Sequence, residues 1–211
     1  MKDTNEYPIL DAIKKVKETS KTKFDATVEV HINLNIDATK QTVRFQLTLP
    51  HGTGKTQKIA VLSDEKVEKA DVNLTETSLS KIEKGEIKPG TDFDIFLTQP
   101  KFMPKVAKVA KVLGPLGLMP NPKNGTVVEN LKKAVDEFKA GKIEIRTELK
   151  APIIHVVIGK VSFKEKDLED NLREIMKVLI QNKPQKAKPD WIKSIFLTSS
   201  MGPSIRVSLE N

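Results

Sequence analysis

Asp92 and Asp94 are the residues whose types and spacing come nearest to an acid and base pair. They lie two positions apart in a predicted strand, so both side chains would share one face. Their place beside Thr91 and Phe93, at the start of that strand, favours surface or capping carboxylates over a catalytic pair. An enzymatic role therefore has weak support from this pair.

The remaining catalytic residue types are scarce. The chain has no cysteine, which excludes disulfides, thiolate metal sites and a thiol nucleophile. Its three histidines, His31, His51 and His155, are isolated, and none has a second ligand at a metal-site spacing. No G-x-S-x-G motif is present. We therefore expect no enzyme, no cofactor and no metal.

The segment Gly54-Lys55-Thr56 copies the end of a phosphate-binding P-loop. The motif would need a glycine at position 49, where the chain has leucine, and a helix where 59–62 predicts a strand. A nucleotide-binding middle segment stays open as an alternative function, although it also lacks a G-x-G-x-x-G motif.

Binding of a polyanion has better support. The 211 residues carry a net charge of +8, with an isoelectric point of about 9.4. Between residues 95 and 128 there are five lysines and no acidic residue. We expect a secondary basic surface there, formed by Lys105, Lys108, Lys111 and Lys123.

A second candidate lies near the C-terminus, where 198–204 combines serine and threonine hydroxyls with Met201-Gly202-Pro203. Hydroxyls and glycine-exposed backbone suit a phosphate or a ribose 2′-hydroxyl. An ordinary hairpin turn is the alternative interpretation, and both remain open. With one Tyr and one Trp, we expect no aromatic stacking platform. Recognition of a folded RNA by shape fits better.

Hydrophobic periodicity predicts the architecture. Alternation over 27–34 and 42–49 predicts two half-buried strands, which we expect to pair with each other. Short apolar strands and helices then alternate up to residue 140, which predicts a parallel sheet covered on both faces. Alternating strands return after Gly141, including 205–209, so both chain ends are expected to share one sheet.

The expected fold class is therefore α+β and α/β in two domains. Residues 1–53 and 142–211 form a two-layer α+β sandwich, and 54–141 form an inserted Rossmann-like three-layer α/β domain. The glycines Gly52, Gly54 and Gly141 are the expected hinge. The N-terminus lacks a signal peptide and no run of about 18 apolar residues occurs, so we expect a cytoplasmic protein without membrane contact.

The loop Gly114-Pro115-x-Gly-Leu-Met-Pro-Asn-Pro-Lys-x-Gly-Thr-Val127 resembles the signature of the ribosomal protein L-one family. Further motifs of the family occur in the same order along nearly the whole chain, on both sides of this loop. The motifs resemble those of the bacterial branch most. They lie at 23–29, 49–55, 139–144, 159–163 and 198–203. Leu116 departs from the pattern, because the family usually has arginine there.

The resemblance implies a protein of the large ribosomal subunit that binds rRNA at the mobile stalk near the tRNA exit site and assists release of deacylated tRNA. It also implies a translational repressor that binds its own operon mRNA, and a monomer when free. Glu29 would accept a hydrogen bond from a ribose hydroxyl. The RNA-binding positions that the resemblance implies are Lys23, Phe24, Thr27, Glu29, Lys40, Lys150, Thr198, Ser200, Met201 and Gly202.

Overall fold

The computed structural model describes residues 5–184 and 187–208, and these form two compact units. One consists of the described residues up to Gly54 and from Gly141 onwards, and the other is Lys55–Ala140. Among the described residues, no helix combines the length and the apolar character that crossing a bilayer requires. The architecture is mixed α/β, as predicted.

Ten strands and six α-helices follow one another along the described chain. The strands are β1 (Glu6–Tyr7), β2 (Thr27–Leu34), β3 (Arg44–Thr48), β4 (Ile59–Leu62), β5 (Val72–Leu74), β6 (Ile95–Thr98), β7 (Lys142–Arg146), β8 (Ile153–Lys160), β9 (Ile192–Ser199) and β10 (Ile205–Val207). The helices are α1 (Ile9–Thr19), α2 (Glu76–Glu83), α3 (Met103–Val106), α4 (Ala110–Leu113), α5 (Leu131–Lys139) and α6 (Glu165–Gln181).

The first unit is built on a five-stranded sheet in the order β1-β10-β9-β2-β8. Strands from both chain ends therefore share one sheet, as the alternating patterns predicted. The interior strand β2 pairs antiparallel with β9 on one edge and β8 on the other. The predicted last strand ends at Val207 among the described residues, and Leu209 lies outside them.

The two faces of β2 differ because its residues alternate. Val28, Val30, Ile32 and Leu34 are at most 3% exposed and join a core with the apolar faces of α1 and α6. The polar residues between them remain partly exposed on the opposite face. That open face is continuous across β8, β2 and β9.

The predicted pairing of the strands over 27–34 and 42–49 is wrong. The second of these, β3, pairs antiparallel with β7 in a separate two-stranded sheet. Its inward residues still enter the same core, so the prediction of its buried face is confirmed. Because β8 and β9 occupy both edges of β2, its backbone groups are already satisfied and β3 must find another partner.

The second unit has a three-stranded parallel sheet in the order β5-β4-β6. Ala60 and Leu62 of β4 pack in one apolar cluster with α2, α3 and α4. Ile59 and Val61 pack in another with α5. Buried on both faces, β4 is continuously apolar, which is typical of a parallel strand between two helical layers.

The helical segment over 103–113 is interrupted. A 3₁₀ turn at Ala107–Val109 separates α3 from α4. Val106, Val109 and Leu113 are nevertheless buried, so the segment presents one apolar face throughout. Helix α5 begins after Asn130, whose side chain accepts a hydrogen bond from the Lys133 backbone N–H at 3.2 Å.

Candidate nucleic-acid interface

Thr27 and Ser200 join the start of β2 to the turn after β9. The Ser200 N–H donates to the Thr27 carbonyl at 2.9 Å, and the Thr27 N–H donates to the Ser200 hydroxyl at 3.2 Å. The two predicted RNA-binding segments, 23–29 and 198–202, therefore meet at one end of the open sheet face.

Lys160 at the end of β8 completes this group. Its ammonium donates to the Thr27 hydroxyl at 2.8 Å, which brings a cation beside the predicted site. Asp25 accepts two hydrogen bonds from Ser162, one from the backbone N–H at 3.1 Å and one from the hydroxyl at 2.8 Å. These bonds hold the segment before β2 against the segment after β8. Residues 23–29, 160–162 and 198–202 therefore lie together at this end of the sheet, which we call the rim.

Two apolar side chains project from this rim. Phe24 is 57% exposed and Met201 is 91% exposed. Exposed apolar side chains beside polar groups can supply apolar contacts to a partner. Met201 also has a φ of 63°, a left-handed conformation that is uncommon outside glycine. Such backbone conformations cluster at functional sites, where the surrounding structure maintains them.

Glu29 and Thr198 are direct cross-strand partners on the open face. No hydrogen bond from the described residues reaches the Glu29 carboxylate, which is partly exposed. The Thr198 hydroxyl contacts the His31 Nε2 at 3.2 Å. The site thus combines a carboxylate acceptor and a hydroxyl with the lysines Lys23 and Lys160 nearby.

Gly202 lies where the turn after β9 passes back over Ser199. A Cβ at Gly202 would lie 2.2 Å from the Ser199 hydroxyl oxygen and 3.2 Å from its carbonyl oxygen. The Gly202 N–H donates to that carbonyl at 2.8 Å. Glycine is required here by the close approach within the turn itself.

Lys40 and Lys150 lie elsewhere. Lys40 follows the end of β2, where it pairs with Asp37 at 3.5 Å. Lys150 precedes β8, and the neighbouring Pro152 carbonyl accepts a hydrogen bond from Leu34, the last residue of β2. The structure therefore brings eight of the ten predicted RNA-binding positions together and places these two at the opposite end of β2.

Three residues at the rim or on the adjoining open face were not predicted from the sequence. Lys160 could have been found, because it lies within the matched motif at 159–163. Phe196 and His155 flank His31 on β9 and β8, and only strand pairing reveals this. Phe196 is partly exposed on this face, so the site has a second phenylalanine ring besides Phe24.

The four lysines of the predicted secondary basic surface differ in their surroundings. Lys105 forms an ion pair with Glu76 and lies 5.8 Å from the Phe102 ring centre. Lys108 and Lys111 are exposed and three positions apart, so they share one side of the segment. The Glu76 carboxylate offsets part of the expected positive charge.

The catalytic candidates have structural partners. Asp94 pairs with Lys55 at 2.7 Å and accepts from the Lys58 N–H at 3.1 Å, and Asp92 accepts from the Lys88 N–H at 2.8 Å. These carboxylates cap backbone groups, as the sequence favoured. The segment after Gly54-Lys55-Thr56 leads into strand β4 rather than a helix, contrary to a P-loop.

The glycines Gly52 and Gly141, both in the first unit, approach each other closely. A Cβ at Gly141 would lie 2.7 Å from the Gly52 Cα, and Gly141 has a φ of 99°. Buried Asn171 of α6 anchors this point: its amide donates to the Gly52 and Ile158 carbonyls, and its oxygen accepts from the His51 N–H.

Comparisons with known proteins agree on one family. The sequence model of the ribosomal protein L1p/L10e family matches residues 16–203. The chain is 48% identical to the large ribosomal subunit protein uL1 of Synechococcus sp. (strain WH7803) and to that of Prochlorococcus marinus (strain MIT 9211). Each alignment covers 96% of this chain and 88% of the relative.

Proposed function

The chain belongs to the ribosomal protein L1p/L10e family, in its bacterial branch, and we propose that its first unit binds a folded junction of large-subunit rRNA. The relatives are proteins of the large ribosomal subunit, so this protein is a ribosomal component and acts at the ribosome of the cytoplasm. Its role is structural and RNA-binding rather than catalytic.

The meeting of 23–29 with 198–202 carries this proposal. The hydrogen bonds between Thr27 and Ser200 hold Phe24 and Met201 on one rim, beside Lys160. Apolar contacts to base or sugar faces, hydroxyl contacts to ribose and one or more cations for phosphate are the groups that recognition of folded RNA requires.

The Glu29 carboxylate distinguishes RNA from a generic polyanion. A carboxylate repels phosphate, so its presence on a surface that binds RNA phosphates is unfavourable unless it accepts a hydrogen bond from a donor of the ligand. The ribose 2′-hydroxyl is such a donor and is absent from DNA. We therefore assign Glu29 to a ribose hydroxyl and the Thr198 hydroxyl to the same sugar-phosphate strand.

Filter binding of a transcript of the rRNA stalk junction across a salt series tests the proposal. With about three phosphate contacts, log K should fall with log salt with a slope of about −2 to −3. A random duplex RNA of equal length is the control and should bind more weakly at every salt concentration. A steep slope without preference for the junction would contradict the proposal.

We further propose that the lysine-bearing segment at 105–123 contacts exit-site tRNA and assists its release. We also propose that the rim of the first unit, which binds rRNA, binds the protein's own operon mRNA. Exposed Lys108 and Lys111 support the first of these. Translation of a reporter carrying the operon leader should fall when the protein is added. Co-sedimentation with large subunits separates a ribosomal component from a repressor that acts only off the ribosome.

We also propose that the two compact units are two domains, connected near Gly52, Gly54 and Gly141, and that the free protein is a monomer. A nucleotide-binding function for the second unit is the rival hypothesis. Thermal unfolding measured with and without ATP or NAD tests this hypothesis. A nucleotide that bound the second unit would raise its Tm, and we expect no shift.

A further inference from the structure

The open sheet face carries a histidine pair beside the RNA-binding rim. His31 of β2 and His155 of β8 are directly opposed, with their Nδ1 atoms 2.6 Å apart and their rings edge to face at 4.8 Å. The His31 Nε2 contacts the Thr198 hydroxyl at 3.2 Å. A chain of polar contacts therefore crosses three strands and ends at a predicted RNA-binding residue.

Two opposed Nδ1 atoms restrict the number of protons that the pair holds. One nitrogen must donate and the other must accept, because two N–H groups cannot face each other at hydrogen-bonding distance. The pair is therefore neutral with two ring protons, or singly charged with three. It gains one positive charge as a unit, and the doubly charged form requires the rings to separate.

The surroundings of His31 disfavour an extra proton on its own ring. Burial lowers the pKa of His31, the neighbouring His155 lowers it further, and the charge of Glu29 opposes these effects. His155 is exposed, and no described residue hydrogen-bonds its outer nitrogen, Nε2. A charged His155 therefore presents an N–H to solvent on the same face as Thr198.

The groups around the pair are mostly neutral. Glu29 is the charged neighbour along β2. On β8 the flanking residues of the same face are Ile153 and Val157, and on β9 they are Phe196 and Thr198. One further positive charge therefore changes the local electrostatics substantially, and phosphate oxygen is the ligand atom that such a donor suits.

We propose that His31 and His155 form a one-proton site in which the outer nitrogen of His155 contacts a backbone phosphate of the bound RNA. The pair extends the RNA-binding surface from the rim into the centre of the sheet. It makes RNA affinity rise as pH falls. This inference rests on the proposed function, because it assigns a further contact to the same RNA.

The experiment measures binding of the stalk-junction transcript at pH 6, 7 and 8, each across a salt series. We expect the wild-type affinity to rise about 3–10-fold from pH 8 to pH 6, and the salt slope to steepen by about 0.7–0.9, which corresponds to one added phosphate contact. In His155→Gln the affinity gain at pH 6 and the added slope should both be lost.

His51→Gln is the matched control. His51 is the one remaining histidine of the sequence. It lies away from the open sheet face, where its ring is 3.2 Å from the Asp170 carboxylate. This variant should keep the full pH response. Imidazole signals followed by NMR across a pH series should show that His31 and His155 titrate together in the wild type. In His155→Gln, His31 should titrate alone.

The outcomes separate the two proposals. If the wild type shows no preference for the junction at any pH, the proposed function fails. If it binds at pH 8 but His155→Gln keeps the same pH response and slope change, the function stands and the inference is overturned. Equal loss of the pH response in His51→Gln would overturn it as well, with circular dichroism confirming that each variant is folded.

Discussion

Thr27 and Ser200 are 173 positions apart in the chain and are joined by hydrogen bonds in both directions. The backbone of each donates to the other, once to a carbonyl and once to a hydroxyl. This link fixes the turn after β9 against the start of β2. Residues from both ends of the chain therefore form the candidate RNA-binding rim together.

Gly202 tests whether the turn itself approaches the RNA. Gly202→Ala should lower stability by about 1–3 kcal/mol, because its Cβ meets the Ser199 hydroxyl, and it should abolish junction binding. Adding Ser199→Ala removes the clashing oxygen, which is buried and has no hydrogen-bond partner among the described residues. The double variant should recover Tm without recovering RNA affinity.

Ser199→Ala alone is the control for this pair, and it should keep both Tm and affinity. Recovery of RNA affinity together with Tm in the double variant would show that the glycine serves only the turn. Differential scanning fluorimetry and filter binding on the same samples provide both measurements.

Phe24→Ala and Met201→Ala should each weaken junction binding about 5–10-fold, because an exposed ring or thioether contributes through stacking and apolar contact. Both side chains are mostly exposed, so the free energy of unfolding should change by less than about 0.5 kcal/mol. Leu116→Ala removes a similarly exposed side chain from the second unit and should leave affinity unchanged. Equal losses in all three variants would argue against the rim.

Asn171→Ala should destabilise the protein by about 1–3 kcal/mol, because it leaves the buried Ile158 carbonyl, the partly buried Gly52 carbonyl and the His51 N–H without their partner. Urea unfolding measures the effect. Asn182→Ala, at the exposed end of the same helix, removes a single bond to the Val178 carbonyl and should have a much smaller effect. Equal effects would mean that the three hydrogen bonds of buried Asn171 stabilise the fold no more than the single exposed bond of Asn182.

The two proposed domains should unfold separately. Trp191, the single tryptophan, is buried in the first unit and reports on that unit alone. Leu97→Ala in the second unit should lower its stability by about 2–5 kcal/mol and shift the far-UV circular dichroism transition. The fluorescence midpoint of Trp191 should stay in place, whereas Leu197→Ala in the first unit should move it. A common shift of both signals would indicate one cooperative unit.

Acid should destabilise the second unit through Asp71 and Asp94. The backbone N–H of Ile59 lowers the pKa of Asp71, and the Lys55 ammonium lowers the pKa of Asp94. A lowered folded-state pKa means that the unfolded chain binds more protons, so this stability is present at neutral pH and is lost as pH falls below about 4. Asp71→Asn should flatten the decline in the urea midpoint between pH 5 and pH 3. The same change at exposed Asp136 should not.

The sequence alone determined the local features of this protein. Alternation along 27–34 identified the buried and open faces of β2, because burial on one side of a strand imposes a period of two. The glycine and proline pattern at 114–127 identified the family, because it constrains backbone conformation residue by residue. It did not identify the candidate site, which lies in the first unit.

Only the tertiary structure decided which segments meet. Periodicity reports which side of a strand is buried but carries no information on its partner, so β3 was assigned to β2 although it pairs with β7. For the same reason the sequence does not predict the contact between His31 and His155. It also does not predict that Lys40 and Lys150 lie apart from the rim. Backbone hydrogen bonding between distant strands makes these choices, since each edge accepts one partner.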